Sequence, residues 1–257
     1  MSVEISCEMS IDRIQFGGMS GHSKWSKVKH QKATTDVVKS AAFTKATHAI
    51  AIAVKEGGGI TDPNSNFHLR LAVERARNVN MPKENIERAI AKAAGEGMGA
   101  IEQVMYEGYG PGGVALIIEA TTDNRQRTVS MIKNVIERAG GTLASPGAVL
   151  FQFQKRGVLT IPKSDLTLDA LLTASIDAGA DDVVEMHDLF EVYTAPTALF
   201  HVKKFIEEKG IVIDNAVLIM HPTMPKTANE LHETKINDLV SELEDLEDVQ
   251  TVYTNLA

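Results

Sequence analysis

Cysteine is almost absent from this chain. Cys7 is the single one among 257 residues, which excludes an intramolecular disulfide and any zinc cluster built on cysteine. A reducing, cytoplasmic setting is the expectation. Long apolar runs are missing as well: none approaches the roughly 20 residues a membrane-spanning helix needs. The opening MSVEISCEMSIDRIQFGG has neither a basic start nor an apolar centre, so it does not read as a signal peptide. Residues 1–18 read instead as a mobile tail, or as a mis-assigned extension with Met19 as the true start.

Catalytic signatures are also lacking. There is no GxSxG or HExxH, and no SxxK leads into a plausible triad. His22 and His30 lie eight residues apart without neighbouring cysteine or paired carboxylates, a poor metal set. GYGPGG, residues 108–113, lacks the Lys-Ser/Thr of a phosphate loop and falls between two strands, where such a loop would open a helix; it reads as a turn. The carboxylates of the last helical stretch, from Glu230 to Asp248, spread around the helix instead of converging. The expectation is a protein with no catalytic residues, metal, cofactor or small-molecule substrate.

What the chain does have is charge, unevenly distributed. Its formal charge is −8. Residues 19–95 nevertheless hold thirteen Lys/Arg against six Asp/Glu, a net of +7, while residues 96–257 hold twelve against twenty-five, a net of −13. Such a division points to a polyanion-facing end on an acidic carrier. The positive charge is densest in GHSKWSKVKHQK, residues 21–32, which contains four lysines, two histidines and the only tryptophan. On a helical reading Lys29, Lys32 and Lys39 share a face, with Lys24 and Lys27 just before it. Ammonium groups at that spacing bridge successive phosphates and release counterions, giving salt-sensitive binding with little sequence content. Two readings fit Trp25: stacking on an unpaired base, or packing inside the helical domain. Arg125 and Arg127, in TDNRQRT, are basic residues in a first helical turn, where the helix dipole does not favour them; a secondary partner contact is one reading of them.

Hydrophobic content of 44% and charged content of 23% are globular values, and the length suits two or three domains. Periodicity predicts three helices, over about 34–55, 67–78 and from Pro82 to Gly95, making a small bundle, with GEGMG at 95–99 as the linker leaving it. In the second helix Leu69, Ala72, Val73 and Ala76 form the apolar stripe, and Arg70, Glu74 and Arg77 an opposite charged face. Strands follow: a hairpin of VMYEGYG and VALIIEAT around PGG, then a helix capped by Asp123 or Asn124. AVLFQFQ and VLTIP read as a second hairpin around KRG, and Ser164 as the cap of a helix ending at Gly179. DDVVEM, FEVYTA, IVID and AVLIMHP read as strands, with a helix from about Pro196 to Lys209. An acidic helix over 229–246 and a strand VQTVYT close the chain. The class is α+β with antiparallel or mixed sheets, not a Rossmann array. The terminal helix and strand cannot form a sheet alone, and the strands at 102–121 need partners. The expected layout is therefore a basic bundle at 19–97, a discontinuous α/β domain of 98–147 plus 222–257, and an inserted α/β domain at 148–221.

GHSKW, KHQKA and FTK, then NFHLRLAVERARNVNMPKENIERAIAKAAG, YEGYGPGGVALIIEATTDNRQRTV, GAVLFQF, AGADDV and LEDLEDVQTVYTN occur in that order from Met19 to Asn255. In these segments the chain resembles the YebC/PmpR family. The resemblance implies three domains, a helical bundle followed by two α/β domains around a cleft, and a non-enzymatic cytoplasmic role in gene expression. Family members are described as DNA-binding transcriptional regulators; relatives include a mitochondrial translational activator, and others look like translation factors linked to proline-rich stretches. Carried over by position, the family's basic face falls on Lys24, Lys27, Lys29, Lys32, Lys39 and Lys45, and His22, Ser23, Trp25 and His30, interspersed with them, complete the expected nucleic-acid contacts. It does not extend to Gln31, Ser40 or Ala42, where the family often carries further basic residues.

Three partners follow as expectations: promoter DNA; ribosomal RNA or tRNA, with the ribosome as carrier; and a protein bound in an acidic cleft. The basic end is rich in lysine and poor in the Arg and Asn that read base edges, which favours phosphate contact. Lys29→Glu combined with Lys32→Glu is expected to weaken nucleic-acid binding and reduce the slope of affinity against salt, as read by fluorescence anisotropy across a KCl series.

Overall fold

Helical periodicity gives way to pleated alternation near residue 100, and the chain folds accordingly. The computed structural model describes residues 36–95, 101–163 and 167–257, with side chains from residue 41 onward. The helix α1 (Asp36–Glu56) ends in Gly57-Gly58-Gly59, where Gly58 and Gly59 take φ of 68° and 85°, a conformation open to glycine. Asn66 caps α2 (Phe67–Asn78) by accepting from the Leu69 amide at 3.1 Å, and its own amide donates to the Ala53 and Ile60 carbonyls. One side chain therefore joins the end of α1 to the start of α2. Pro82 occupies the cap of α3 (Lys83–Ala94), one residue ahead of the expected first turn. Ile50, Val54, Leu69, Val73, Ala76, Ile86 and Ala89 make the core these helices share.

Two four-stranded sheets follow, antiparallel throughout. With seven α-helices among the described residues, the fold is α+β. In the first sheet β1 (Glu102–Tyr109) pairs with β2 (Ala115–Thr122) across a turn at Pro111–Gly113, in which Gly112 has φ 71°. Asn124 resolves the choice of cap: its carboxamide accepts from the Arg127 amide and starts α4 (Arg125–Arg138). A short strand, β3 (Thr142–Ala144), was not foreseen; it pairs with β1.

The second sheet is built from β4 (Phe153–Pro162), α5 (Leu168–Asp177), β5 (Asp182–Glu185), β6 (Leu189–Thr194), α6 (Leu199–Glu208) and β7 (Asn215–Pro222). Its order, β5-β6-β4-β7, is the split-βαβ arrangement. The chain then forms α7 (Glu230–Glu244) and β8 (Val249–Thr254), and β8 joins β2 to complete the first sheet, β3-β1-β2-β8.

Three expectations are corrected. AVLFQFQ and VLTIP are not a hairpin: residues 150–152 form a 3-10 turn, and β4 runs straight through KRG. Gly157 is there for close approach, since a Cβ would meet Thr194 Oγ1 at 2.4 Å and Leu199 Cβ at 2.9 Å. IVID is not a strand; Ile211 and Ile213 pack against the second core as a connector into β7. Thr167 caps α5, while the expected cap, Ser164, lies outside the described residues. The expected linker at 95–99 also lies outside them after Gly95.

β2 is buried on both faces. Leu116 and Ile118 pack with Ile132, Ile136, Ile236, Leu239 and Leu243 of α4 and α7. Ala115 and Ile117, on the other face, join Tyr253 against Phe153, Val158, Tyr193, Ile219 and Met220 of the second sheet. Glu119 lies on that face. Burial pushes its carboxyl above the usual range, opposed by Lys155, by the Tyr253 hydroxyl at 3.3 Å and by Arg75.

Glu107 pins the loop that joins the sheets. Its carboxylate, 5% exposed, accepts from the amides of Gly147 at 2.6 Å, Val149 at 2.7 Å and Leu150 at 2.9 Å. Burial alone would raise this group, but the three amides outweigh burial and hold it below the ordinary glutamate range. A carboxyl lowered on folding stabilises the fold above its unfolded value, and that contribution fades as pH falls through the folded value. Glu107→Gln is expected to cost about 2 kcal/mol at neutral pH, from the loss of charge-assisted bonds. Urea unfolding should show the gap between variant and parent narrowing as pH drops below about 4.3.

Candidate nucleic-acid interface

Most of the residues expected to contact phosphate, His22, Ser23, Lys24, Trp25, Lys27, Lys29, His30 and Lys32, lie outside the described residues. Lys39 falls within α1, close to its start. Lys45 is half-buried, and its ammonium donates to the carbonyl of Glu244 at the C-terminal end of α7. The helix dipole makes that end attractive to a cation. Lys45 thus joins the basic bundle to the acidic body.

Cations have been drawn into the same junction from several elements. Lys203 of α6 reaches Glu74 of α2, at 2.8 and 2.9 Å to the two carboxylate oxygens. Arg70 donates to the Pro63 and Asn64 carbonyls and lies 4.1 Å from the Phe200 ring centroid. Phe67 meets the same ring edge-on, with centroids 6.0 Å apart. Arg70 and Glu74, which the sequence puts on a solvent-facing stripe with Arg77, therefore hold the bundle against the second sheet's helices. Arg77 remains exposed.

Arg125 and Arg127 are also committed within the body. Arg125 forms a two-pronged pair with Glu102 across the start of β1. Arg127 reaches both oxygens of Asp248 at 3.0 Å and Asp123 at 2.9 Å. Asp248, 7% exposed, also accepts from the Thr128 hydroxyl at 2.7 Å, and its carbonyl takes the Thr121 amide. This network ties the start of α4 to the turn before β8. Facing it from α1 is His48, which burial keeps below its usual range although Asp248, Glu247 and Asp123 pull it upward. Both arginines of TDNRQRT are thus engaged with carboxylates of this chain.

Lys55, Arg75, Arg77, Lys83, Arg88 and Lys92 are exposed on the described part of the bundle, and two of them, Arg77 and Lys83, flank the turn from α2 to α3. Arg77, Asn80, Met81, Lys83 and Ile86 line an open cleft of about 530 Å³. Sequence reading did not single it out, because its two cations stand six positions apart on different helices. The helix C-terminus signature in RNVNMP was the available clue.

Three comparisons bear on this layout. Residues 23–96 match the TACO1/YebC protein N-terminal domain, and residues 101–256 match the TACO1/YebC second and third domain. The chain belongs to the TACO1/YebC family. Among its TACO1/YebC relatives is a "Probable transcriptional regulatory protein" of Sulfurihydrogenibium, 44% identical over 92% of this chain and 95% of that one. One of the same description from Caldanaerobacter subterraneus is 43% identical over 93% and 98%. The fold is similar to the crystal structure of a conserved hypothetical protein from Aquifex aeolicus, with a TM-score of 0.81 and 38% identity over 91% of this chain and 96% of that one. Among the described residues of this TACO1/YebC chain, no group of three or more His, Cys, Asp or Glu side chains is placed to hold a metal, and no helix is long and apolar enough to cross a membrane.

Removing Asp248 leaves the Thr128 hydroxyl and the Arg127 guanidinium without their main partner. Asp248→Ala is expected to cost about 2 kcal/mol, the usual scale for hydrogen bonds to a charged group. Urea unfolding followed by circular dichroism checks this, with an unchanged m-value as the sign that the native state stays compact.

Proposed function

We propose that this chain is a non-enzymatic regulator of gene expression that grips nucleic-acid phosphates with its basic N-terminal domain, residues 19–97. His22, Ser23, Lys24, Trp25, Lys27, Lys29, His30, Lys32 and Lys39 are its contacts, and Arg125 and Arg127 only secondary ones. One observation carries the reading: a net charge of +7 over residues 19–95 beside −13 over residues 96–257. A domain that meets a polyanion needs such a surplus, and an acidic carrier confines contact to that domain. The relatives' description as transcriptional regulatory proteins supports a role at DNA.

A second reading, a ribosome-associated factor that binds ribosomal RNA or tRNA, draws on the same charge division. An acidic body repels a long duplex lying across it. The repulsion is smaller where only the basic domain enters a pocket of structured RNA. A protein-binding adaptor is the remaining alternative.

Co-sedimentation with ribosomes at several salt concentrations, beside binding to promoter and scrambled duplexes, separates these readings. A regulator at DNA is expected to prefer the promoter duplex over the scrambled one. Retention on ribosomes without promoter preference selects the RNA reading. A partner recovered after nuclease treatment, with neither nucleic acid bound, selects the adaptor.

A further inference from the structure

We infer that the cleft between α2 and α3 is a phosphate-binding subsite that holds the backbone of a nucleic-acid strand, with Arg77 and Lys83 as its cations and Asn80 as its neutral donor. The inference rests on the nucleic-acid reading above and gives it an anchor among residues that reading did not include.

Across the junction, Lys45, Arg70, Arg125, Arg127 and Lys203 are each spent on a carbonyl or carboxylate of this chain. Arg77 makes no ion pair with any carboxylate among the described residues, and it is exposed at the cleft. Lys83 has only Glu87, one turn on at 3.6 Å with both side chains well exposed, a pairing of little strength.

Lys83 and Asn80 both occupy positions with a distinctive local geometry. Lys83 opens α3, at the end where the helix dipole disfavours a cation. No side chain caps that end, so its first amides have no side-chain acceptor, although Glu84 sits in the same turn. Asn80 terminates α2 with φ 60°, the only non-glycine with positive φ among the described residues. The Met81 amide reaches back to the Ala76 carbonyl at 2.9 Å, completing a Schellman turn whose left-handed position is ordinarily glycine. Asparagine tolerates that backbone and adds a carboxamide to the cleft.

The cleft also has a suitable shape. About 530 Å³ is nucleotide-sized. Met81 and Ile86 form an apolar floor, with Arg77, Asn80 and Lys83 around it. A strand can set its phosphodiester against the cations while the sugar or base covers the floor. Glu84, in the same helical turn as Lys83, is the nearby like charge that a phosphate would have to avoid.

The test uses the full chain and four probes: a labelled single-stranded oligoribonucleotide, the matching oligodeoxyribonucleotide, a duplex, and inorganic phosphate. Arg77→Gln with Lys83→Gln is expected to weaken both single strands by about tenfold and to lower the salt slope by roughly 1.4, two contacts at about 0.7 each. Asn80→Gly preserves the turn and should weaken binding by a smaller factor with the slope unchanged, because the lost group is neutral. Both altered cations are exposed, and an unchanged melting temperature checks that the double variant folds. If the double variant binds like the parent while Lys29→Glu with Lys32→Glu loses binding, the cleft assignment is overturned and the domain-level reading stands. If the parent binds no oligonucleotide, the nucleic-acid reading itself falls. Inorganic phosphate binding as tightly as the strands would overturn the strand assignment in favour of a free anion.

Discussion

Strand β2 is the element the architecture depends on, because it is buried on both faces. Alternate residues serve two cores: Leu116 and Ile118 the helix-covered side of the first sheet, Ala115 and Ile117 the junction with the second. A strand with one wet face would need polar residues at every second position. VALIIEAT has none until Glu119, and that carboxyl is pushed up by burial. The second sheet packs where it does because the first presents an apolar face through β2 and Tyr253. The Glu107 clamp on Gly147, Val149 and Leu150 sets the path of the chain between them.

On this frame the bundle is attached by charge as much as by packing. Lys45 at the end of α7, Lys203 on Glu74, and Arg70 against Phe200 each join a bundle helix to the body. The basic domain thereby spends part of its own charge in docking. What is left for an external polyanion is a subset of the thirteen cations, which makes the identity of the unspent ones more informative than their total. Arg77 and Lys83 stand out among them because they line one cleft with Asn80.

Much of the fold was legible in the sequence wherever one signal dominated. The glycine triplet at 57–59 and the spacing of Leu69, Val73 and Ala76 located the first two helices within a residue or two, since period and stop signals agreed. Reading failed where a residue type carried two meanings. KRG looked like a turn because glycine usually breaks strands, yet Gly157 sits mid-strand so that Thr194 and Leu199 can come close. IVID has strand composition but no ladder partner, and its isoleucines serve the core instead. β3, three residues long, is too short to carry a period. At the candidate site, Lys45, Arg125 and Arg127 were visible as cations, but their acceptors, Glu244, Glu102 and Asp248, lie between 23 and 199 positions away. No local pattern reports such a separation.

By itself, the sequence determined the charge division, the α+β class and the helix and strand identities set by strong periodicity, because these depend on neighbours within a few residues. Family membership was legible there too, as an ordered series of motifs. Only the tertiary structure decided which cations are spent and which remain, and that β8 closes the first sheet beside β2. Only the folded chain brings Arg77 and Lys83 together around Asn80. Each of these depends on distances between groups far apart in the chain or on different helices, and those distances exist only once the cores have closed.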